Sequence, residues 1–121
     1  MNLNLRRPNK KLVHSTQSGL SIVLLENTWI DRDIMLGIQI KVGWGNGYVD
    51  MPRSHPMYGK HYDEINVDVH GGLTYAEEVE GMWRVGFDTA HLGDCLDNWP
   101  KRAVLYEAER LMKQLEKMYH R

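Results

Sequence analysis

Between residues 34 and 42 apolar and polar positions alternate. Ile34, Leu36, Ile38, Ile40 and Val42 fall on one side, with Gln39 and Lys41 on the other. A period of two over this length predicts a half-buried β-strand. "LSIVLLE" at 20–26 is β-branched and apolar and predicts another strand. "NTWIDRD" between them reads as a turn, so the two segments make an antiparallel hairpin. The alternation returns at "INVDVH" (65–70), where Ile65, Val67 and Val69 oppose Asn66, Asp68 and His70. It returns again at "MWRVGF" (82–87), where Trp83, Val85 and Phe87 oppose Met82, Arg84 and Gly86, and Asp88 continues the polar side. With "LTYA" resuming after two glycines and "EEVEG" (77–81) as the turn, residues 65–76 and 82–88 are predicted to form a second antiparallel pair. From Pro100 the period changes to that of a helix. Val104, Ala108, Leu111, Leu115 and Met118 form one apolar stripe, with Asn98 or Asp97 as the expected cap and Pro100 in the first turn.

An apolar helical stripe must pack against something, and the apolar face of the sheet is the available partner. The predicted fold is α+β: a small antiparallel sheet of about four strands with a C-terminal amphipathic helix packed on one face. Residues 1–121 read as a single domain, with 1–19 an arm or an irregular first strand. "GWGNG" (43–47) reads as a glycine-rich loop. "YVDMPRSHPMYGKHYDE" (48–64) reads as a long irregular connection, a type more often functional than idle. Residues 88–100 read as a loop containing one helical turn.

Composition narrows the function classes. A chain of 121 residues fits one domain and one modest core. Fifteen basic and sixteen acidic side chains nearly cancel, which argues against a general nucleic-acid binder. No apolar run approaches the roughly 20 residues of a membrane helix. The basic N-terminus lacks the apolar centre of a signal peptide. These features predict a cytoplasmic protein that does not engage membranes. Cys95 is the single cysteine, which excludes an intrachain disulfide or a cysteine zinc site. His91 precedes it by one helical turn, yet a packed thiol is the favoured reading of Cys95 over a nucleophile. The helix can also support a homo-oligomer.

The ionisable and aromatic residues concentrate between 48 and 94. Asp68 and His70 are expected on the polar side of one strand, Asp88 at the end of its neighbour, and His91 and Asp94 just beyond. The loop supplies Tyr48, His55, Tyr58, Lys60 and His61. A first reading is a pocket for a small polar, nucleotide-like ligand. Gly71 and Gly72 would let backbone N–H groups approach an anion, Arg84 or Lys60 would pair with phosphates, Thr74 would add a hydroxyl, and the aromatic residues would stack on a base. No phosphate-loop or dinucleotide fingerprint is present. A second reading is a small hydrolase using His70, Asp88 and His91, either as a general base with its orienting carboxylate or as metal ligands. Asp88, His91 and Asp94 stand three residues apart, and imidazole with carboxylate suits Zn²⁺, Mn²⁺ or Fe²⁺. A third is a protein-binding inhibitor whose loop is the interface. Each residue also has a bland reading: His70 bonded to a β-bulge, and Asp88 or Asp94 capping a turn.

Three blocks, His-Pro-x-Tyr-Gly-Lys-x-Tyr-Asp from His55, Val-Asp-Val-His-Gly-Gly-Leu-Thr-Tyr from Val67 and Gly-Phe-Asp-x-Ala-His-x-Gly-Asp from Gly86, together resemble a recurrent pattern in a group of small bacteriophage and bacterial proteins. The likeness covers residues 47–94. It implies a phage or prophage setting, hence the host cytoplasm, and a counter-defence role such as sequestering a signalling nucleotide or blocking a host enzyme. It brings no catalytic residues with it.

Overall fold

Val23, Ile22 and Leu24 are buried in the strand that their apolar run predicts, Ser21–Glu26. A computed structural model describes residues 13–14, 18–27 and 42–120 of the chain. The expected strand at 34–42 therefore lies, except for Val42, outside the described residues, and so does most of the 1–19 arm. The strands are β1 (Val13–His14), β2 (Ser21–Glu26), β3 (Gly45–Met51), β4 (Tyr75–Val79) and β5 (Met82–Phe87), followed by helix α1 (Lys101–Lys117) and a short 3-10 turn, Met118–His120. The sheet runs β1-β2-β3-β5-β4, and each neighbouring pair is antiparallel. With β1 only two residues long, this is the expected small antiparallel sheet with a C-terminal helix on one face.

The core lies between that face and α1. Ile22, Leu24, Val49, Met51, Val85 and Phe87 from the sheet meet Val104, Ala108, Leu111 and Leu115 from the helix, all essentially inaccessible. Burying each large apolar side chain contributes about 1.5–3 kcal/mol. Glu80 and Gly81 both have positive φ, 51° and 84°, as the tight turn joining β4 to β5 requires. The strand runs on to Val79, so the predicted turn at 77–81 is confined to its last two residues.

Three local expectations are corrected. First, 45–51 is not loop but the strand β3, between β2 and β5. Its glycines serve close packing: a Cβ on Gly47 would stand 2.7 Å from the Phe87 ring and 3.3 Å from Ala108. Second, 65–70 keeps its alternation, with Ile65 and Val69 buried, but does not join the sheet. It lies against α1, whose side chains satisfy its backbone. Gln114 accepts from the Asp68 N–H (2.7 Å) and donates to its carbonyl (2.8 Å). Glu107 accepts from the His70 N–H at 2.8 Å. The second antiparallel pair is thus 75–79 with 82–87. Third, Pro100 itself is the helix N-cap, without a side-chain cap bond. Asn98 is engaged in its own loop, accepting from the Cys95 N–H (2.9 Å) and donating to the Gly93 carbonyl (3.0 Å). Among the described residues no helix is long and apolar enough to cross a membrane.

Candidate functional site

The loop from Asp88 to Pro100 is pinned at both ends to the start of β3. Thr89 is fully buried, and its hydroxyl donates to the Gly45 carbonyl at 2.7 Å. The Gly43 N–H donates to the Thr89 carbonyl, and the Trp44 N–H to the Trp99 carbonyl. A side chain at Gly43 would collide with Thr89 and Trp99, so that glycine lets the loop close. The pinned loop holds its middle, 91–94, against the segment that α1 holds at 68–70.

Where they meet, two imidazoles converge on one carboxylate. His70 Nε2 lies 2.9 Å from each Asp94 oxygen. His91 donates to Asp94 Oδ2 through its backbone N–H (3.0 Å), and its Nδ1 stands 3.3 Å from the same oxygen. Asp88 Oδ1 is 3.4 Å from His91 Nδ1. The two rings cross edge to face at 5.2 Å, and Trp99 lies 4.2 Å from His70 in a tilted stack. Asp94 is only 4% exposed. Burial pushes its carboxyl up, but the hydrogen bonds from His70 and from the His91 N–H outweigh it and hold the group below the ordinary value. Gly71, at φ 69°, passes so close to His91 that a Cβ there would overlap the ring. A bare backbone is what allows the two histidines to meet.

Comparison with protein-family models, curated proteins and solved structures returns no match.

Of the residues singled out in the sequence, His70, Gly71, Asp88, His91 and Asp94 are brought together. Others are placed elsewhere. Asp68 is exposed and accepts from Arg110 at 3.2 Å. Gly72 (φ 77°) and Thr74 are exposed beside the wall rather than part of its contacts. His55 is 3% exposed beneath the helix terminus. Its Nδ1 accepts from the Met57 N–H (3.0 Å), so its Nε2 carries the proton and donates to the Leu115 carbonyl (2.8 Å). The 52–64 loop packs toward the β4–β5 hairpin. Tyr58 donates to Glu78 and leans on Trp83, and the Lys60 carbonyl accepts from the Trp83 indole. His61 caps the 3-10 turn Tyr62–Glu64. Tyr48 and Arg84 belong to the polar sheet face. There Arg84 donates twice to Asp50 (2.7 and 3.0 Å), Tyr48 meets Tyr75 edge-on, and burial with the Glu77 hydrogen bond pushes the Tyr75 hydroxyl up to about 12.

Two contributors were missed. Trp99 walls the site, and its only sequence signal was an aromatic residue immediately before the helix. Glu107 fixes the His70 backbone and is itself held by Arg110 at 2.7 Å. Its signal was plain, an acid three residues after Val104 inside the apolar stripe. The tip of the loop carries Leu92 and Leu96, both well exposed.

Proposed function

We propose that the protein binds a small polar, nucleotide-like ligand at the wall formed by His70, His91, Asp94 and Trp99. The observation that supports this is the convergence of two imidazoles on one buried carboxylate beside an indole ring. Oriented polar groups next to an aromatic surface are the usual makings of a ligand site. Asp94 fixes the protons: a His70 Nε2–H directed at the carboxylate leaves Nδ1 as an acceptor, and a His91 Nδ1–H leaves Nε2. A planar base can lie along the Trp99 and His70 rings while its N–H and hydroxyl groups donate to those nitrogens. The resemblance to phage proteins adds a setting, in which such a binder sequesters a host signalling nucleotide.

A second reading rests on the same Asp94–His70 contact. A carboxylate that orients an imidazole is the arrangement of a general base, with His70 Nδ1 taking a proton from water as it attacks a bound ester. One experiment separates the readings. The purified chain is incubated with linear and cyclic nucleotides, heat-denatured, and the supernatant is analysed by mass spectrometry. Intact retained ligand is the expected result, a converted product selects the hydrolase, and neither retention nor turnover across the panel overturns both. His91→Gln should abolish retention or turnover while the melting temperature shifts little.

A further inference from the structure

We infer that His70, His91 and Asp94 form a binding site for one divalent transition-metal ion of the zinc, manganese or iron(II) class. Their donor atoms all lie within 4.8 Å of one another. Donors bound to one ion at about 2.1 Å stand about 3 Å apart, and the spacings of 2.9 Å from His70 to Asp94 and 3.3 Å from His91 to Asp94 have that size. Two imidazoles and one carboxylate suit a borderline ion. Calcium and magnesium prefer all-oxygen shells, and copper(I) prefers sulfur. The sequence grouped Asp88, His91 and Asp94 by their spacing. The fold keeps His70, which the sequence also offered as a ligand 24 residues before Asp94, and leaves Asp88 beside His91 as a neighbouring carboxylate.

The shell around the three donors is ordered as metal ligands require. His70 is fixed through its backbone by Glu107 and along its ring by Trp99. His91 is confined by the Gly71 backbone on one side and Asp88 on the other. Three protein donors leave positions open, as in sites where a metal also receives a substrate or ligand atom. The ion would take the places of the protons that His70 Nε2 and His91 Nδ1 direct at Asp94 in the metal-free chain, leaving their outer ring nitrogens as N–H donors. The inference rests on the ligand reading in one respect: the open positions are where an oxygen of the proposed ligand would bind.

The test uses the full chain, stripped with chelator and titrated with Zn²⁺ and with Co²⁺, whose visible absorption reports coordination by nitrogen and oxygen. The expected result is one equivalent of either ion, with affinity reduced tenfold or more in His91→Gln and Asp94→Asn. Because Asp94→Asn also disturbs a buried network, His91→Gln, at a half-exposed ring, keeps the test valid if the first variant unfolds. No saturable binding of either ion, or binding unchanged in His91→Gln, overturns the metal assignment. The nucleotide panel is then repeated with and without chelator. Retention that needs the metal supports the assignment. Retention indifferent to chelator overturns the placing of the ligand on the ion's open positions and leaves both the ligand reading and the metal titration to stand on their own results. Stoichiometric metal with no nucleotide retained or converted supports the metal and overturns the ligand reading alone.

Discussion

β3 is flanked by β2 and β5, and its backbone groups are met by the backbones of both neighbours. At 68–70 the same kinds of group are met by side chains of α1: Gln114 takes both polar groups of the Asp68 backbone, and Glu107 takes the His70 N–H. The helix thus acts as a neighbouring strand made of side chains. Any residue supplies a backbone partner, so the sheet tolerates substitution on its exposed face and fails mainly through its core. The 68–70 segment depends on particular side chains, so its position, and with it that of His70, can be altered one residue at a time. The sheet is general in its chemistry, and the segment that carries the candidate site is specific.

The largest effect should come from the sheet's core. Phe87 is 1% exposed and packs between Gly47 and the helix. Phe87→Ala should cost about 3–5 kcal/mol, read by urea denaturation, and should take the His-Asp centre down with the fold. A loss below about 1 kcal/mol would mean that the interior is not organised around this ring.

Next is the helix side of the comparison. Glu107→Ala leaves the His70 N–H without its partner in a part-buried place and releases Arg110, and should cost about 1–3 kcal/mol. Gln114→Ala exposes backbone groups of an already exposed Asp68 to water and should cost less than about 1 kcal/mol. Only the Glu107 variant should also weaken Co²⁺ or nucleotide binding. Equal losses in the two variants would show that Glu107 does not position His70.

A finer test uses two neighbouring glycines. Gly71 and Gly72 have φ of 69° and 77°, so alanine at either strains the backbone by about 1–2 kcal/mol. At Gly72 an added methyl meets nothing within 4 Å, whereas at Gly71 it strikes the His91 ring. Both variants should show the strain by thermal melting, Gly71→Ala the larger loss because of the collision, and Gly71→Ala alone should lose metal or ligand binding. Binding lost equally in both would trace the effect to the backbone turn.

This contrast also explains what could be read from the sequence. β2, β5 and the helical stripe were legible because alternation and the 3.6 period directly report one buried face. β3 was not, because Gly43, Gly45 and Gly47 read as loop punctuation. Yet Asn46, Tyr48 and Asp50 alternate with Gly47, Val49 and Met51, and the glycines answer close approaches: Gly47 that of Phe87 and Ala108, Gly45 that of the Leu25 backbone, Gly43 that of Thr89 and Trp99. Segment 65–70 was read as a strand for the complementary reason. Alternation says that a face is buried, not whether strands or a helix cover it. His70, His91 and Asp94 were legible as candidates from residue type. Asp68 is misplaced because its partner, Arg110, stands on the charged side of the helix, and the spacing along the chain does not report that this side meets the 68–70 segment.

The smallest effect concerns the other segment held against α1 by a side chain. His55 joins the 52–57 turn to the helix by donating from Nε2 to the Leu115 carbonyl, and its Nδ1 must stay unprotonated to accept from the Met57 N–H. Burial disfavours the charged ring and outweighs the Leu115 bond, which favours it, so its pKa is lowered from the ordinary 6.5. The sign follows from linkage. Below 6.5 the unfolded chain binds a proton at this position that the folded chain resists. His55 therefore contributes its full stability above about 6.5 and loses it progressively as the pH falls from there toward the lowered folded value. Melting temperature followed from pH 8 down to about 5.5 should decline. In His55→Gln, which keeps a donor for Leu115 but cannot titrate, the decline should be shallower. Parallel profiles would mean that the turn does not depend on the neutral ring, and that the 52–57 segment, unlike 68–70, is held by packing and not by one side chain.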